Sequence, residues 1–424
     1  MKIKNDAHLT YCTNIHSGES WKEIFTSLEQ NTLQVKAKLS PDQPFGIGLR
    51  LSNESAQTLQ EEGQLPAFKH WLQSNDLYVF TINGFPYGNF HGKVVKDQVH
   101  SPDWRTKERL DYTILLFNLL AELLPEGQEG GISTSPLSYK YWYDTAAERE
   151  EAKKQSCAHL IDIVVHLVQL HQITGKNMHL DIEPEPDGLL ENSVDFIDFF
   201  ENYLLKRGLE LLMMRINCTA LEARNYILHH LQLCYDICHF SVEFEEPESV
   251  IRSIEEKGIK IGKMQISAAL KCNTELNGSK AEMASHLNQF IEPVYLHQAV
   301  VKKRSGELLK FADLKPGIAE LAEPDSIELR THFHVPIFLF YYQGLSSTQD
   351  DILKAMDLWI KKPFTRHLEI ETYTWEVLPK QLMMDLKQSI NRELAWLLAL
   401  IQSREEQKEE VLIQELTDAA DSSN

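Results

Sequence analysis

The sequence lacks the apolar runs that would direct a chain into or across a membrane. No stretch reaches the roughly 18 consecutive apolar residues that a membrane-spanning helix needs, and the polar start Met1–Asp6 is not followed by the apolar core of a secretory signal. Internal repeats and low-complexity tracts are also absent. These absences predict a soluble, cytoplasmic chain with no membrane span.

Paired cysteines and basic clusters are missing as well. None of the six cysteines forms a CxxC pair, so we expect free thiols in a reducing compartment. The 42 basic residues are outnumbered by 62 acidic ones, which gives a net charge of −20, and no Lys/Arg run is present. Such a chain repels phosphate backbones, so we predict no nucleic-acid partner and regard cleavage of abasic DNA as a weak alternative.

What the 424 residues do contain is a regular alternation of short apolar strands with amphipathic helices. This alternation is typical of a parallel sheet with helical crossovers, and eight such strands predict a (β/α)8 TIM barrel. We expect one barrel domain over residues 1–402, with an insertion at about 271–342 between the seventh and eighth strands. A long closing helix over 379–402 and a charged tail over 403–424 complete the prediction.

The predicted fifth strand ends in a cluster of carboxylates, from His179 to Asp187. Two prolines follow Glu183, and proline ends the strand and stiffens the loop. Because alternate side chains of a strand share a face, Asp181 and Glu183 point the same way. A carboxylate at the C-terminal end of a barrel strand occupies the position where this fold carries its chemistry; a solvated acidic loop is the alternative.

Four predicted strand ends present acceptor groups, namely Glu183, Asp236, Gln265 and Glu371. Carboxylates that converge in one barrel mouth repel one another, and a divalent cation holds them together most readily. An oxygen-rich set favours Mn²⁺ or Mg²⁺, with Zn²⁺ as a less suited alternative. The competing interpretation is that bases at the mouth, such as Arg50 or Lys263, pair with these carboxylates.

Histidines accompany the carboxylates. His239 follows Asp236 by three residues and is predicted to point into the same mouth and bind a substrate hydroxyl or carbonyl. His332 and His334 alternate on a predicted strand, so both imidazoles face one side and are candidate metal ligands; satisfied core histidines are an equal alternative. Further polar residues at strand ends are predicted to bind substrate: Asn14, His16, Asn83 and His91.

The strand-end pattern resembles the xylose-isomerase-like TIM barrels. That superfamily carries a Glu ending the fifth strand, Asp-x-x-His at the sixth, a His at the seventh and a Glu ending the eighth. Glu183, Asp236 with His239, and Glu371 match this pattern, whereas Gln265 stands in place of the seventh-strand His. The departure leaves three alternatives: a nitrogen ligand from His332 or His334, an oxygen-only site, or loss of metal binding.

The chain resembles more closely the EboE family, the metabolite traffic proteins of the Ebo gene cluster. The likeness is carried by segments that span the chain: 9–21 (LTYCTNIHSGESW), 41–51 (PDQPFGIGLRL), 79–92 (VFTINGFPYGNFHG), 180–186 (LDIEPEP), 234–247 (CYDICHFSVEFEEP), 262–270 (GKMQISAAL), 332–336 (HFHVP) and 368–375 (LEIETYTW). The resemblance implies the barrel fold, secondary-metabolite handling and other Ebo-cluster proteins as partners. It supplies no reaction.

Two functions follow as expectations. In the first, a metal-dependent isomerase or epimerase acts on a polyol or sugar-like metabolite; Glu183 and Glu371 remove and return a proton, and His239 steadies the carbonyl oxygen. In the second, the barrel mouth is a pocket of a non-catalytic binding or carrier protein, which Gln265 favours. Neither function calls for a nucleotide cofactor.

Overall fold

The computed structural model describes residues 1–88, 94–342, 344–376, 378 and 385–421. Within them the strands are, in chain order, β1 (His8–Tyr11), β2 (Phe45–Arg50), β3 (Leu77–Asn83), β4 (Glu129–Thr134), β5 (Asn177–Ile182), β6 (Leu231–Asp236), β7 (Ile261–Ile266), β8 (Ala268–Asn273), β9 (Ala299–Lys303), β10 (Leu308–Phe311), β11 (Ser326–Val335), β12 (Tyr341–Tyr342), β13 (Leu345–Ser347) and β14 (His367–Ile370).

The α-helices of the same residues are α1 (Trp21–Ser27), α2 (Leu33–Leu39), α3 (Asn53–Leu59), α4 (Gln64–Ser74), α5 (Lys107–Leu123), α6 (Ala146–Thr174), α7 (Ser193–Phe199), α8 (Leu209–Ile216), α9 (Ala220–His230), α10 (Ile237–Val242), α11 (Pro247–Glu256), α12 (Lys280–Leu287), α13 (Leu314–Leu321), α14 (Gln349–Lys361) and α15 (Leu386–Asp421). Two π-helical segments, Leu28–Thr32 and Phe200–Gly208, continue α1 into α2 and α7 into α8.

Eight parallel strands form the central sheet, in the order β1-β14-β7-β6-β5-β4-β3-β2. The two end strands meet through a parallel bridge between Cys12 and Gly48. The Thr10 hydroxyl adds a hydrogen bond to the Gly46 carbonyl at 2.7 Å. The sheet is therefore a nearly closed barrel, and the predicted α/β TIM barrel is confirmed.

The barrel strands and helices follow from local sequence. Every residue of β2, β3, β6 and β7 is buried, which is characteristic of parallel strands covered on both faces. Helices α1, α6, α9 and α12 each begin at a reciprocal Ser/Thr–Glu capping box. Helix α6 ends at Gly175, whose φ of 70° is the left-handed conformation that favours glycine.

A second sheet occupies the connection between the last two barrel strands. Its antiparallel strands follow the order β10-β9-β11-β8-β13-β12, so it extends from Ala268 to Ser347, slightly beyond the predicted insertion. Its central strand β11 pairs with both β8 and β9, and the β8 pairing shifts register between Thr331 and His334. This strand carries the two alternating histidines.

The closing helix α15 continues to Asp421, beyond its predicted end at Gln402. The charged residues from Ser403 onward therefore belong to a helix as far as it is described. They include no glycine or proline and many strong helix formers, so nothing in the sequence stops the helix at Gln402. Among the described residues, no helix combines the length and the apolar character that crossing a membrane requires.

Candidate active site

Three carboxylates converge at the C-terminal ends of the barrel strands. Glu183 follows β5, Asp236 ends β6 and Glu371 follows β14. One oxygen of each lies within 4.8 Å of an oxygen of the other two. All three side chains are buried, with at most 5% of the residue exposed. The structure thus brings together the carboxylates that the sequence places in separate strands.

The bases considered as alternative partners pair with other carboxylates. Arg50 contacts Glu19 at 3.2 Å. Lys263 contacts Glu369 at 2.8 Å, and both of these side chains are completely buried. Among the described residues, no Lys or Arg forms an ion pair with Glu183, Asp236 or Glu371. Pairing with Lys or Arg therefore does not account for the carboxylate cluster.

The cluster carries unbalanced negative charge. Burial, followed by repulsion from the neighbouring carboxylates, raises the pKa of Glu183 and Glu371 well above the ordinary range. Glu183 Oε2 and Asp236 Oδ2 are buried and have no hydrogen-bond partner among the described residues. A buried charge without a partner is costly, so these oxygens fit a divalent cation. A set of oxygen donors suits Mg²⁺ or Mn²⁺.

Amide groups hold Glu371 from both sides. Its Oε1 accepts from Asn14 at 2.5 Å and Asn83 at 3.0 Å, and its Oε2 accepts from Gln265 Nε2 at 2.5 Å. The oxygen of Gln265 accepts instead from the Cys234 thiol at 2.8 Å. This orientation departs from the expectation that Gln265 ligates the ion, because its nitrogen, which cannot bind a cation, faces the site. Gln265 is placed to position Glu371.

His334 presents a nitrogen next to Asp236, one of the three carboxylates. Its Nδ1 donates to the Glu371 carbonyl at 2.6 Å, which leaves Nε2 as the lone-pair nitrogen. That Nε2 is buried without a hydrogen-bond partner among the described residues. A nitrogen of His334 lies within 4.8 Å of ligand atoms of Asp236 and His239. Burial lowers the pKa of His334 to about 4, so the ring is neutral and able to bind a metal near neutral pH.

The Asp-x-x-His spacing has a local cause. Asp236 is the N-cap of α10, and its Oδ1 accepts from the His239 backbone N–H at 3.2 Å and from the Ser267 hydroxyl at 2.7 Å. The cap places His239 in the first turn of the helix, next to the carboxylate. Its Nδ1 lies 2.9 Å from the Pro184 carbonyl, which can only accept, so Nδ1 carries the proton. His239 Nε2 is therefore an acceptor.

A cavity of about 50 Å³ lies over these groups. Its polar side is lined by Asn14, Asn83, Glu183, Glu185, His239, Gln298, His332 and Glu371. Its apolar side is lined by Phe85, Pro86, Val95, Val99, Tyr295, Leu296 and Tyr373. A hydrogen bond of 2.8 Å from Val95 N to Val294 O joins the segment after β3 to the inserted region. The volume corresponds to a few water molecules, since each occupies about 10–15 Å³ on this measure.

Of the predicted substrate-binding residues, one lies away from the cavity and another cannot be compared with it. The short helical turn Thr13–Ile15 carries His16 away from the cavity lining, and its ring lies 3.0 Å from the Tyr11 hydroxyl. His91 falls outside the described residues. Asn14 and Asn83 do line the cavity, in addition to holding Glu371. Their predicted contact with substrate stays a prediction.

Sequence reasoning missed several lining residues. Glu185 offered a signal, because it belongs to the same acidic segment two residues after Glu183. His100, completely buried against the cavity, offered none, since it belongs to a short 3₁₀ turn without periodicity. Tyr295 and Gln298 lie in the inserted region, and no local pattern connects that region with the barrel mouth.

Comparison with solved structures gives distant likenesses. The chain is similar to a xylose isomerase-like TIM barrel protein from Mycobacterium smegmatis in complex with magnesium, at 11% identity and a TM-score of 0.50, over 95% of this chain and 99% of that one. It is also similar to the IOLI protein with a bound zinc atom, at 12% identity and a TM-score of 0.46, over 94% and 99%. A third likeness is to 3-keto-D-glucoside 4-epimerase from E. coli, at 13% identity and 0.35, over 61% and 79%.

No protein-family model and no curated protein matches the sequence. The likeness to the Mycobacterium smegmatis protein supports the barrel fold. At this level of identity it shows the fold alone.

Proposed function

We propose that the protein is a metal-dependent enzyme of the isomerase or epimerase type that moves a proton on a polyol or sugar-like metabolite. The observation that carries the proposal is the convergence of Glu183, Asp236 and Glu371, whose ligand oxygens lie within 4.8 Å of one another in a buried site. Such a cluster is stable at neutral pH with a cation between its members.

The residues that would hold Mn²⁺ or Mg²⁺ are Glu183, Asp236 and Glu371, with His334 in the place of the absent seventh-strand histidine. When bound, the ion would polarise an oxygen of an α-hydroxycarbonyl and make the adjacent C–H more acidic. Glu371, fixed by three amides, keeps its orientation while substrate binds.

Glu183 is the better placed of the two predicted proton carriers. Its Oε2 has no hydrogen-bond partner among the described residues, and burial together with repulsion from Glu371 and Asp236 raises its pKa well above the ordinary value, which favours uptake of a proton. His239 does not fit the predicted role of steadying a carbonyl oxygen. Its Nε2 is an acceptor, since Nδ1 donates to Pro184, and an acceptor repels a carbonyl oxygen.

The likeness of eight sequence segments to EboE proteins supports a finer proposal. In this proposal the metabolite belongs to secondary metabolism, and other proteins of an Ebo cluster are partners of this one. The apolar side of the cavity is compatible with a substrate that is not polar on every face.

The test begins with the metal. Metal-free protein is titrated with Mn²⁺ by calorimetry and analysed for bound elements, alongside Glu183→Gln and Glu371→Gln. We expect the wild type to bind Mn²⁺ and each variant to bind it at least about 100-fold more weakly, the upper end of what even an outer-shell change costs. A wild-type chain that takes up neither Mn²⁺ nor Mg²⁺ contradicts the proposal.

Activity is then measured as solvent deuterium incorporated at carbon, by NMR, in a panel of ketoses, aldoses and inososes. Metal-loaded wild type should catalyse exchange in at least one class, and Glu183→Gln should not.

A carrier function is the second candidate, and the environment of Glu371 favours it. Both oxygens of Glu371 accept hydrogen bonds from amide groups. Glu371, one of the two predicted proton carriers, therefore has no oxygen that is without an amide donor. A carrier would bind a metabolite and release it unchanged. A ligand that co-purifies with the protein and gains no deuterium at carbon after incubation in D₂O supports this function over catalysis.

A further inference from the structure

Two imidazoles face each other beside the carboxylate cluster. The Nε2 atoms of His239 and His332 lie 3.2 Å apart. Both side chains are buried, with 4% of each residue exposed. A contact this short between two nitrogens needs either a proton or a cation between them.

Neither nitrogen carries a proton of its own. His239 Nδ1 donates to the Pro184 carbonyl at 2.9 Å. His332 Nδ1 donates to Gln298 Oε1 at 2.9 Å, and the orientation of that amide is fixed because its nitrogen donates to the Pro186 carbonyl at 3.0 Å. A neutral imidazole with a protonated Nδ1 has only a lone pair at Nε2.

One hydroxyl lies nearby but does not resolve the contact. Tyr373 Oη is 3.3 Å from His332 Nε2 and carries a single proton. That proton can be donated to only one of the two Nε2 atoms. The lone pair of the other Nε2 still points at its neighbour. Two lone pairs at this distance repel, so the described groups leave the contact unfavourable.

We propose that His239, His332 and Glu185 form a second cation position, nitrogen-rich and adjacent to the carboxylate cluster, with His239 Nε2 3.9 Å from Asp236 Oδ2. One ligand atom of each side chain lies within 4.8 Å of the other two, and Glu185 Oε1 lies 3.4 Å from the His332 ring, at Nδ1. The separation of the two nitrogens also fits a shared ion: with Zn–N bonds of about 2.0–2.1 Å, two ligands of a tetrahedral ion lie about 3.3 Å apart.

Glu185 supplies the charge that two neutral imidazoles lack. Its Oε2 is buried without a hydrogen-bond partner among the described residues. It follows Glu183 by two residues, so the stiff Glu-Pro-Glu segment delivers one carboxylate to each position. Gln298 orients His332, in the manner of the outer-shell partners that fix the ring of a metal-binding histidine.

The two positions differ in chemistry. The first has three carboxylates, which favour Mg²⁺ or Mn²⁺; the second has two imidazoles and one carboxylate, which favour Zn²⁺. None of the three carboxylates of the first position, Glu183, Asp236 and Glu371, belongs to the second position. The second position goes beyond the proposed function, because it requires neither the first ion nor a substrate.

The experiment counts ions per chain. Metal-free full-length protein is dialysed against excess Zn²⁺, freed of unbound ion and analysed for zinc and protein, with calorimetry to give each affinity. The variants are His332→Gln for the second position and Glu183→Gln for the first. His230→Gln is the control, since this buried histidine also donates Nδ1 to a carbonyl, that of Met178 at 2.8 Å, but does not line the cavity.

We expect two ions in the wild type and the control, and one in each of the other variants, with the lost ion bound at least about 100-fold more weakly. If the wild type binds one ion and His332→Gln retains it, the second position is overturned and the first stands. If one ion is lost in both variants, a single ion spans both clusters and the proposal also fails. No zinc at all overturns this proposal, whereas the proposed function is decided separately by the binding of Mn²⁺ and Mg²⁺.

Folding of each variant is checked by circular dichroism and thermal unfolding before loading. Should His332→Gln not fold, Glu185→Gln carries the same expectations, because it removes the charge and keeps the shape of the side chain. Co²⁺ in place of Zn²⁺ adds a second readout. A nitrogen-containing tetrahedral site absorbs visible light far more strongly than an octahedral oxygen site, so the strong absorption should disappear in His332→Gln and persist in Glu183→Gln.

Discussion

Glu183 illustrates the conflict that a binding site imposes on a single side chain. It is buried beside two other carboxylates, with Oε2 lacking a hydrogen-bond partner among the described residues. Ionising it therefore costs stability in the metal-free fold, and the ionised form is the one that attracts a cation. Stability without metal and affinity for metal should change in opposite directions when this charge is removed.

Glu183→Gln should raise the unfolding temperature of the metal-free protein at pH 8. Glutamine keeps the shape and removes the uncompensated charge, a gain of about 1–3 kcal/mol by the cost of a buried group without a partner. The stabilisation that Mn²⁺ gives the wild type should be lost. Thermal unfolding in EDTA and in MnCl₂ measures both effects.

Asp103→Asn is the matched control for this prediction. Asp103 is equally buried, but its carboxylate accepts from the Ser138 hydroxyl at 2.6 Å, the Tyr143 hydroxyl at 3.0 Å and Arg105 at 2.9 Å. Because its charge is compensated, the amide should lower stability. Lower stability of Glu183→Gln in EDTA would show that the carboxylate cluster is not strained.

Gln265→Glu distinguishes a ligand from a positioning residue. If the Gln265 oxygen bound the ion, a carboxylate there would bind it more tightly. Because the amide nitrogen instead donates to Glu371, a carboxylate would place a negative charge against Glu371 and remove its donor. We expect Mn²⁺ affinity to fall about 10–100-fold, as for other outer-shell changes. Calorimetry that shows tighter binding contradicts the positioning role.

For single residues, the sequence predicts those whose place in the site follows from their position at the end of a strand. Glu183, Asp236 and Glu371 each end a strand, and strand ends of a barrel converge whatever the intervening chain does. The orientation of the Gln265 amide follows no such rule. It depends on the Cys234 thiol of β6, a contact that forms only when β6 pairs with β7.

Among the secondary-structure elements, β11 has the most direct effect on the site, because it carries His332 and His334. Arg330 of this strand connects it to the barrel. Its guanidinium donates to the Ser241 carbonyl of α10 at 2.8 Å and contacts Asp351 of α14 at 3.3 Å. The inserted sheet is thus fixed to barrel helices close to its histidines.

Arg330→Leu should lower the free energy of unfolding by about 3 kcal/mol, the lower end for breaking a buried ion pair. Arg330 has 13% of its side chain exposed and Asp351 has 3%. Lys354→Met is the control, because Lys354 contacts the same carboxylate at 3.2 Å with 48% of its side chain exposed, and such pairs contribute at most about 1 kcal/mol. Urea denaturation measures both. Equal losses would contradict the proposed anchor.

Periodicity predicts the barrel elements well because each is defined within its own segment. It fails where a boundary depends on one backbone conformation. The sequence predicts a single helical stretch from Asn53 to about Ser74, whereas α3 ends at Leu59 and α4 starts after Gly63, whose φ of 83° no helix accommodates. The pairing of β8 with β11 joins strands far apart in the chain, and no local pattern encodes its register.

Over the whole molecule, two kinds of buried ionisable group change the folding stability in opposite directions as pH changes. Burial is the largest factor that raises the pKa of Glu185 and Glu393 from 4.5 to about 8, and that of Glu243 to about 7. Burial also lowers the pKa of His8 and His334 from 6.5 to about 4. The carboxyls favour the folded state when protonated, and the histidines favour it when neutral.

The two contributions have opposite signs and different pH windows. Between pH 4.5 and about 8 the folded chain holds carboxyl protons that the unfolded chain has released, so the carboxyl contribution to stability falls as pH rises. Between about pH 4 and 6.5 the unfolded histidines take up protons that the folded ones do not, so the histidine contribution falls as pH drops. The two contributions therefore oppose each other below pH 6.5, and of these groups only the carboxyls change stability between pH 6.5 and 8. Each such group changes the free energy of unfolding by up to about 1.4 kcal/mol per pH unit between its unfolded and folded pKa values.

We therefore expect metal-free protein to lose stability as the pH rises from 6.5 to 8.5, and to change less between pH 5 and 6.5, where the two contributions oppose each other. A cation at the carboxylate cluster reverses the alkaline side, because Glu183 and Glu371 must release protons to bind it and the bound ion then stabilises their charges. The rise in unfolding temperature produced by Mn²⁺ should accordingly be larger at pH 8.5 than at pH 6. Thermal unfolding across this range, in EDTA and in MnCl₂, measures both curves. Stability in EDTA that climbs steadily to pH 8.5 would contradict the raised carboxyl pKa values on which this account of the site depends.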